Sequence, residues 1–245
     1  MLEKLRVMWT EIDWCQGWGQ YAWPATKTPI VPYSSRSRML CSNEAHEIEM
    51  WFLERGLTHT VALDTEFERD HITGRDVMVL AQFACSHRVL LTNSITSRMV
   101  LKVLLSPQVM KVGKDLRGDW DALEAALTQS DVSAVELLDG SILSVQCVLA
   151  AGSVAAGWRD VSELLPLHRI DASCEAIARF VLRQSATWKS TVNHEHPPRW
   201  NKVHGLDKTC LAYAISDACF VWDVMLAVKA KVVCAGGVFP WSVGP

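Results

Sequence analysis

Neither charge dominates this sequence: 24 lysines and arginines face 27 aspartates and glutamates, for a formal net charge of −3. Such a balance gives no bulk attraction for a polyanion and leaves contacts of that kind to local patches or bound cations. Zinc-ligand spacing is missing too. The eight cysteines, at positions 15, 41, 85, 147, 174, 210, 219 and 234, form no C-x-x-C pair. That excludes a structural zinc knot and leaves buried thiols of a reducing compartment as the expectation. His194-Glu195-His196 looks like a ligand cluster, but Pro197-Pro198 follow directly. Prolines disfavour the helix that would align the two imidazoles, so a polar loop is expected there. No internal repeat or low-complexity tract occurs. No apolar run reads as long enough to cross a bilayer, so no membrane association is expected. The N-terminal MLEKLRVMWTEIDW mixes acidic with apolar residues. It fits neither a secretory signal nor a transit peptide, and nucleus or cytoplasm is the expected compartment.

What is present is an ordinary globular composition, 49% hydrophobic and 21% charged over 245 residues. This suits one α/β domain with an extension. Residues 1–41 read as a Trp-rich extension and linker, carrying Trp9, Trp14, Trp18 and Trp23 ahead of TPIVPYSSRSR. Its expected use is docking, on the main domain or on a protein partner, with base stacking as the alternative. Residues 42–232 form the domain, and 233–245 a tail.

Within the domain, apolar periodicity predicts a helix over 42–57, capped by Ser42 or Asn43 and ended by Gly56. Strands follow at 59–67, 77–85 and 88–92; their short connections require antiparallel pairing. The pattern then alternates: helix 97–105, strand 109–112, helix 119–127 and a short strand 133–138, expected to join the same sheet. Helices close the chain near 141–150, 172–183 and 207–232. The expected fold is an RNase H-like α/β architecture, a mixed five-stranded sheet flanked by helices.

Three sets of carboxylates stand out. Asp64 and Glu66 are two apart at the end of an apolar strand, so both project from one face while Thr65 points away. Two like charges at the end of a buried strand are costly without a counter-ion, and a divalent cation such as Mg²⁺ suits carboxylate oxygens. D-x-E alone also fits a charged strand end facing solvent. Tyr213 and Asp217 stand four apart on a helix and share a face. Ala212, Ala214 and Ala218 around them allow close packing on a sheet. Asp119 falls near a helix start, where an Asp could simply be a cap, and Asp115 and Asp121 compete with it.

In order, VALDTEF, KVGKDLRGDWDAL and LAYAISDACF resemble the three exonuclease motifs of the DEDD superfamily, in its Tyr-containing branch. The resemblance extends from about residue 42 to 232 and is to the Werner syndrome protein exonuclease domain and RNase D-like proteins. It implies a metal-dependent 3′→5′ exonuclease acting on DNA or RNA ends and releasing nucleoside monophosphates. Asp64, Glu66, Asp119 and Asp217 would be ligands of two Mg²⁺ (or Mn²⁺) ions. Tyr213 would orient the attacking water; a phenol of ordinary pKa is too weak a base to activate it at neutral pH. Phe67, directly after Glu66, is the candidate for contacting the terminal base. Two positions depart from the family pattern: Phe67-Glu68, where Trp or Pro is common, and Cys210, where Gln is common. A non-catalytic RNA-binding or scaffolding module on the same fold is the alternative. Arg98, Lys102, Lys111, Lys114 and Arg117 form one basic stretch. Arg169, Arg179, Arg183, Lys189, Arg199, Lys202 and Lys208 form a second, which also holds Trp188 and Trp200. Phosphate contact and a solvated face are both open for these lysines and arginines; for the two tryptophans, local packing is expected over base stacking.

Overall fold

A computed structural model describes residues 38–53, 60–85, 88–165, 173–183, 186, 189, 200–201, 206, 208–236, 239 and 241. The readings of Trp9, Trp14, Trp18, Trp23, Gly56, Trp188 and the His194–His196 loop lie outside these residues.

The chain enters as β1 (Arg38–Cys41) and α1 (Ala45–Leu53), then β2 (Thr60–Arg69), β3 (Asp76–Cys85) and β4 (Arg88–Thr92). Next come α2 (Arg98–Leu105), β5 (Met110–Gly113) and α3 (Leu116–Thr128). A ribbon of β6 (Ala134–Glu136) and β7 (Ile142–Ser144) leads to α4 (Val145–Ala151) and β8 (Trp158–Asp160). A 3₁₀ turn, Val161–Leu164, is followed by α5 (Cys174–Ile177), which runs into a π turn, Ala178–Leu182. The long α6 (Lys208–Cys234) follows.

Six strands form the main sheet in the order β1-β4-β3-β2-β5-β8. The tight connections make β2–β3 and β3–β4 antiparallel. Crossovers through helices make β2–β5 and β5–β8 parallel, as a returning parallel strand requires.

Two readings are corrected. The sheet has six strands instead of five, because β1 pairs with β4 at one edge and β8 with β5 at the other. The expected strand at 133–138 does not join it; β6 pairs with β7 in a separate ribbon. The true edge strand, β8, is three residues long and gives no period-2 signal. Its anchor is Trp158, buried at 2% exposure, whose indole Nε1 donates to the Leu104 carbonyl at 2.8 Å.

Side chains on β2 alternate between two cores. Ala62 faces the α6 side with Ala214, Ala218 and Val224, while Val61 and Leu63 face α2 and α3. Ala214 and Ala218 have no exposed surface, so the α6 backbone lies close on β2 and β3. α6 is apolar almost all round because its sides pack on the sheet and on the π turn. By length and composition alone it meets the requirement for a membrane span, contrary to the sequence expectation, but 67% of its most apolar stretch is buried inside the protein.

Gly113 ends β5 directly beside β2 in the sheet. A Cβ there would meet the Leu63 carbonyl oxygen at 2.8 Å, closer than real contacts allow. Only glycine lets α3 start this near the acidic end of β2.

Candidate active site

Two elements build the site. β2 delivers Asp64 and Glu66 on its α6 face, as the two-residue period dictates. Opposite them, α6 presents Tyr213 and Asp217 one turn apart, at 7% and 4% exposure. Asp64, Glu66 and Asp217 each offer a carboxylate oxygen, and these oxygens all lie within 4.8 Å of one another. Just beyond Glu66 the β2–β3 register shifts. Phe67 follows directly and is 44% exposed.

Gln82 stands opposite Asp64 in the β2–β3 register and is fully buried. Its Nε2 donates to Glu66 Oε1 at 3.2 Å, which fixes that carboxylate. Sequence reading did not single it out, since a glutamine amid apolar strand residues looks like the polar exception of a core strand. Its place across from Asp64 was the available signal.

Asp119 approaches from the other face. It is buried in the first turn of α3, and the Thr65 hydroxyl donates to its Oδ1. Thr65 points away from Asp64 and Glu66, so Asp119 is not one of the three converging carboxylates. It is not the cap of α3 either. The N-cap is Asp115, in left-handed backbone (φ 57°), with its N–H donating to Asp160 Oδ2 at 2.6 Å. Asp115 is exposed beside Lys114, and Asp121 is exposed on α3. Asp119 is thus the buried member of the three candidates.

Lys189 was only one of a basic stretch in the sequence; in the structure it enters the site. Its Nζ lies 2.5 Å from Asp217 Oδ1, 3.5 Å from the Tyr213 hydroxyl and 5.1 Å from the centre of that ring. No periodic pattern marks a lysine delivered by a loop. Other basic residues of the two stretches are spent on structure: Arg98 and Lys102 on Glu136, Lys114 on Asp115, Arg179 on Glu175. Trp200, 3% exposed, stacks at 35° and 6.2 Å on Tyr213 and belongs to the core, as expected. Its segment is clamped from both sides. Asn93 Nδ2 donates to the Trp200 carbonyl at 2.7 Å, and Asn201 donates through its backbone N–H and Nδ2 to Glu68 at 3.1 and 3.0 Å.

Crowding sets the electrostatics. Burial first, then Asp217, Glu66 and Asp119, hold the Asp64 carboxyl well above the usual carboxylate range. Glu66 is pushed to about 8 by burial and by Asp217, against the opposing pull of Gln82 and Lys189. Asp119 is raised to about 6, chiefly by burial. Burial and Asp217 also raise the Tyr213 phenol, which stays protonated across the neutral range.

These shifts carry a sign. Carboxyls raised in the folded state keep protons that the unfolded chain releases above about pH 4.5. Stability of the metal-free protein therefore falls as pH rises from there through about 8, and a cation that replaces those protons offsets the fall. Thermal melts in EDTA are expected to drop steadily between about pH 5 and about pH 8, and millimolar Mg²⁺ to flatten the profile. A level EDTA profile would mean that neither burial nor the neighbouring charges raise these carboxyls.

No protein-family model matches the sequence, and no curated protein matches it. Solved structures do. The chain is similar to the EXO domain of Aedes aegypti Nibbler, at 13% identity and a TM-score of 0.55, over 81% of this chain and 90% of that one. It is similar to Trypanosoma brucei RNase D in complex with RNA U12, at 13% identity and a TM-score of 0.54, over 88% of this chain and 79% of that one. It is also similar to Escherichia coli RNase D, an exoribonuclease involved in structured RNA processing, at 14% identity and a TM-score of 0.53. That match covers 82% of this chain and 46% of the bacterial protein, so the chain spans less than half its length. The mixed six-stranded sheet flanked by helices is the RNase H-like exonuclease fold.

Proposed function

We propose that this chain is a metal-dependent 3′→5′ exonuclease of the DEDD type, in its Tyr-containing branch. The observation that carries the reading is the convergence of Asp64, Glu66 and Asp217 within 4.8 Å, inside a fold shared with exonuclease domains. The donor set fits the expected ions. It is all oxygen, partly to fully buried, and so crowded with negative charge that its carboxyls resist ionising without a cation. Asp64, Glu66 and Asp217 would hold the Mg²⁺ or Mn²⁺, and Asp119, the fourth ligand of a two-ion site, would join them by giving up its hydrogen bond from Thr65. When bound, such ions supply Lewis-acid activation of the attacking water and offset the charge that grows on phosphorus and on the leaving 3′-oxygen.

The protein's own groups do the rest. Tyr213, protonated and packed against Trp200, would orient a water through its hydroxyl. Gln82 holds Glu66 in place from beneath. Phe67, exposed and directly after Glu66 in the chain, would be the residue that contacts the terminal base. Water attacks the terminal phosphodiester, the bond from phosphorus to the 3′-oxygen breaks, and a nucleoside 5′-monophosphate leaves.

The test is digestion of matched DNA and RNA oligonucleotides, side by side, with Mg²⁺ or Mn²⁺ and then with EDTA. Metal-dependent shortening of at least one substrate, abolished by EDTA, is expected. Binding of either substrate without any shortening in both metals would favour the non-catalytic module instead.

A further inference from the structure

We propose that Lys189 is a built-in counter-ion, which pairs with Asp217 while the site is metal-free and is displaced from it when a divalent cation loads. The inference rests on the metal role given to Asp217 above.

The position of Lys189 is constructed. Ser173 caps α5 by accepting from the Ala176 N–H at 3.2 Å. In the first turn, Glu175 accepts from Arg179 Nε at 2.5 Å and from the Ala186 N–H at 2.6 Å. Ala186, pinned in this way, accepts in turn from the Lys189 N–H at 3.0 Å. A carboxylate on α5 therefore anchors the turn that carries Lys189 into the acidic pocket. The side chain is only 35% exposed, so much of its hydration is given up. In return its ammonium gains Asp217 at 2.5 Å and the face of Tyr213.

That geometry has a consequence for metal binding. Three carboxyl groups this close cannot all ionise unaided, and an ammonium on Asp217 offsets one of the charges. A divalent ion does the same with twice the charge and takes up the same carboxylate oxygens. Ammonium and metal ion repel each other at contact distances, so both cannot keep Asp217 Oδ1. Loading the metal then requires Lys189 to swing away, which its long, flexible stem permits. The lysine keeps the acidic pocket folded before the metal arrives and weakens the metal's apparent affinity.

The experiment is Mn²⁺ titration of the full chain, followed by electron paramagnetic resonance, for wild type, Lys189→Met and Lys189→Arg. Lys189→Met is expected to bind Mn²⁺ about tenfold more tightly than wild type, since it removes a repelling charge. Lys189→Arg, which keeps the charge, should bind like wild type. In EDTA the Met variant should melt lower than wild type and gain more from added Mg²⁺. Equal or weaker Mn²⁺ binding by Lys189→Met would overturn the inference while leaving the metal site standing. No Mn²⁺ binding by any of the three would overturn the metal site itself. Should the Met variant fail to fold, wild type alone decides. Reductive methylation of Lys189, read by peptide mass spectrometry, should rise when Mg²⁺ frees the amine, and unchanged labelling would contradict the displacement.

Discussion

Asp64→Asn is expected to cut the Mg²⁺-supported rate of 3′-end removal by about a thousandfold or more, while raising the melting temperature of the metal-free protein. Both effects follow from one cause. Asp64 converges with Asp217 and Glu66, and its carboxyl is held far above its ordinary range by burial first and then by the charges of Asp217, Glu66 and, more weakly, Asp119. An amide removes an acid that the metal-free pocket must hold protonated while the unfolded chain ionises it, so the variant should melt a few degrees higher in EDTA at neutral pH, at roughly 2–4 °C per kcal/mol for a chain of this size. It also removes a ligand oxygen, and losing several kcal/mol of transition-state stabilisation costs three decades in rate. A site arranged for chemistry at the expense of stability shows this opposition. A variant that lost activity and stability together would point to misfolding instead.

Lys111→Met is the second large effect, and it concerns stability alone. Lys111 has no exposed surface, and its Nζ donates to the carbonyls of Ser106, Val109 and Ala156 at 2.7, 2.7 and 2.5 Å. Burial pulls its ammonium well below the usual lysine range. Three acceptors nevertheless call for three N–H donors, which only the charged form supplies. The lysine ties the turn before β5 to the loop that launches β8. Methionine fills the same volume but abandons backbone carbonyls in the core. The expected loss is about 2–5 kcal/mol, or roughly 5–15 °C in melting temperature, with the acidic site itself untouched. A melting temperature within about 2 °C of wild type would show that water reaches these carbonyls.

What the sequence made legible was whatever obeys a period. β2 alternates between two cores, so Asp64 and Glu66 had to share a face, and they do. Tyr213 and Asp217 are one helical turn apart, and α6 packs them toward β2 through Ala214 and Ala218. Asp119 was separable from Asp115 and Asp121 only by resemblance; the structure separates them by burial and by the Thr65 contact. Features without a period were invisible. β8 is three residues placed by Trp158 and a buried lysine. β1 lies in a stretch that reads as linker because its four residues pair only through an edge. The ribbon of β6 and β7 drew a false place in the main sheet, since a strand's sequence does not name its neighbour. Lys189 lies three residues beyond Ala186, which Glu175 pins through its N–H, a tertiary contact that no local pattern encodes.

The most direct measurement is a time course on a 5′-labelled single-stranded oligonucleotide with Mg²⁺, comparing wild type with Asp64→Asn. Wild type should generate a ladder that shortens one nucleotide at a time from the 3′ end and releases 5′-monophosphates; the variant should leave the strand intact. Equal shortening by both proteins would contradict the claim that these carboxylates carry the reaction.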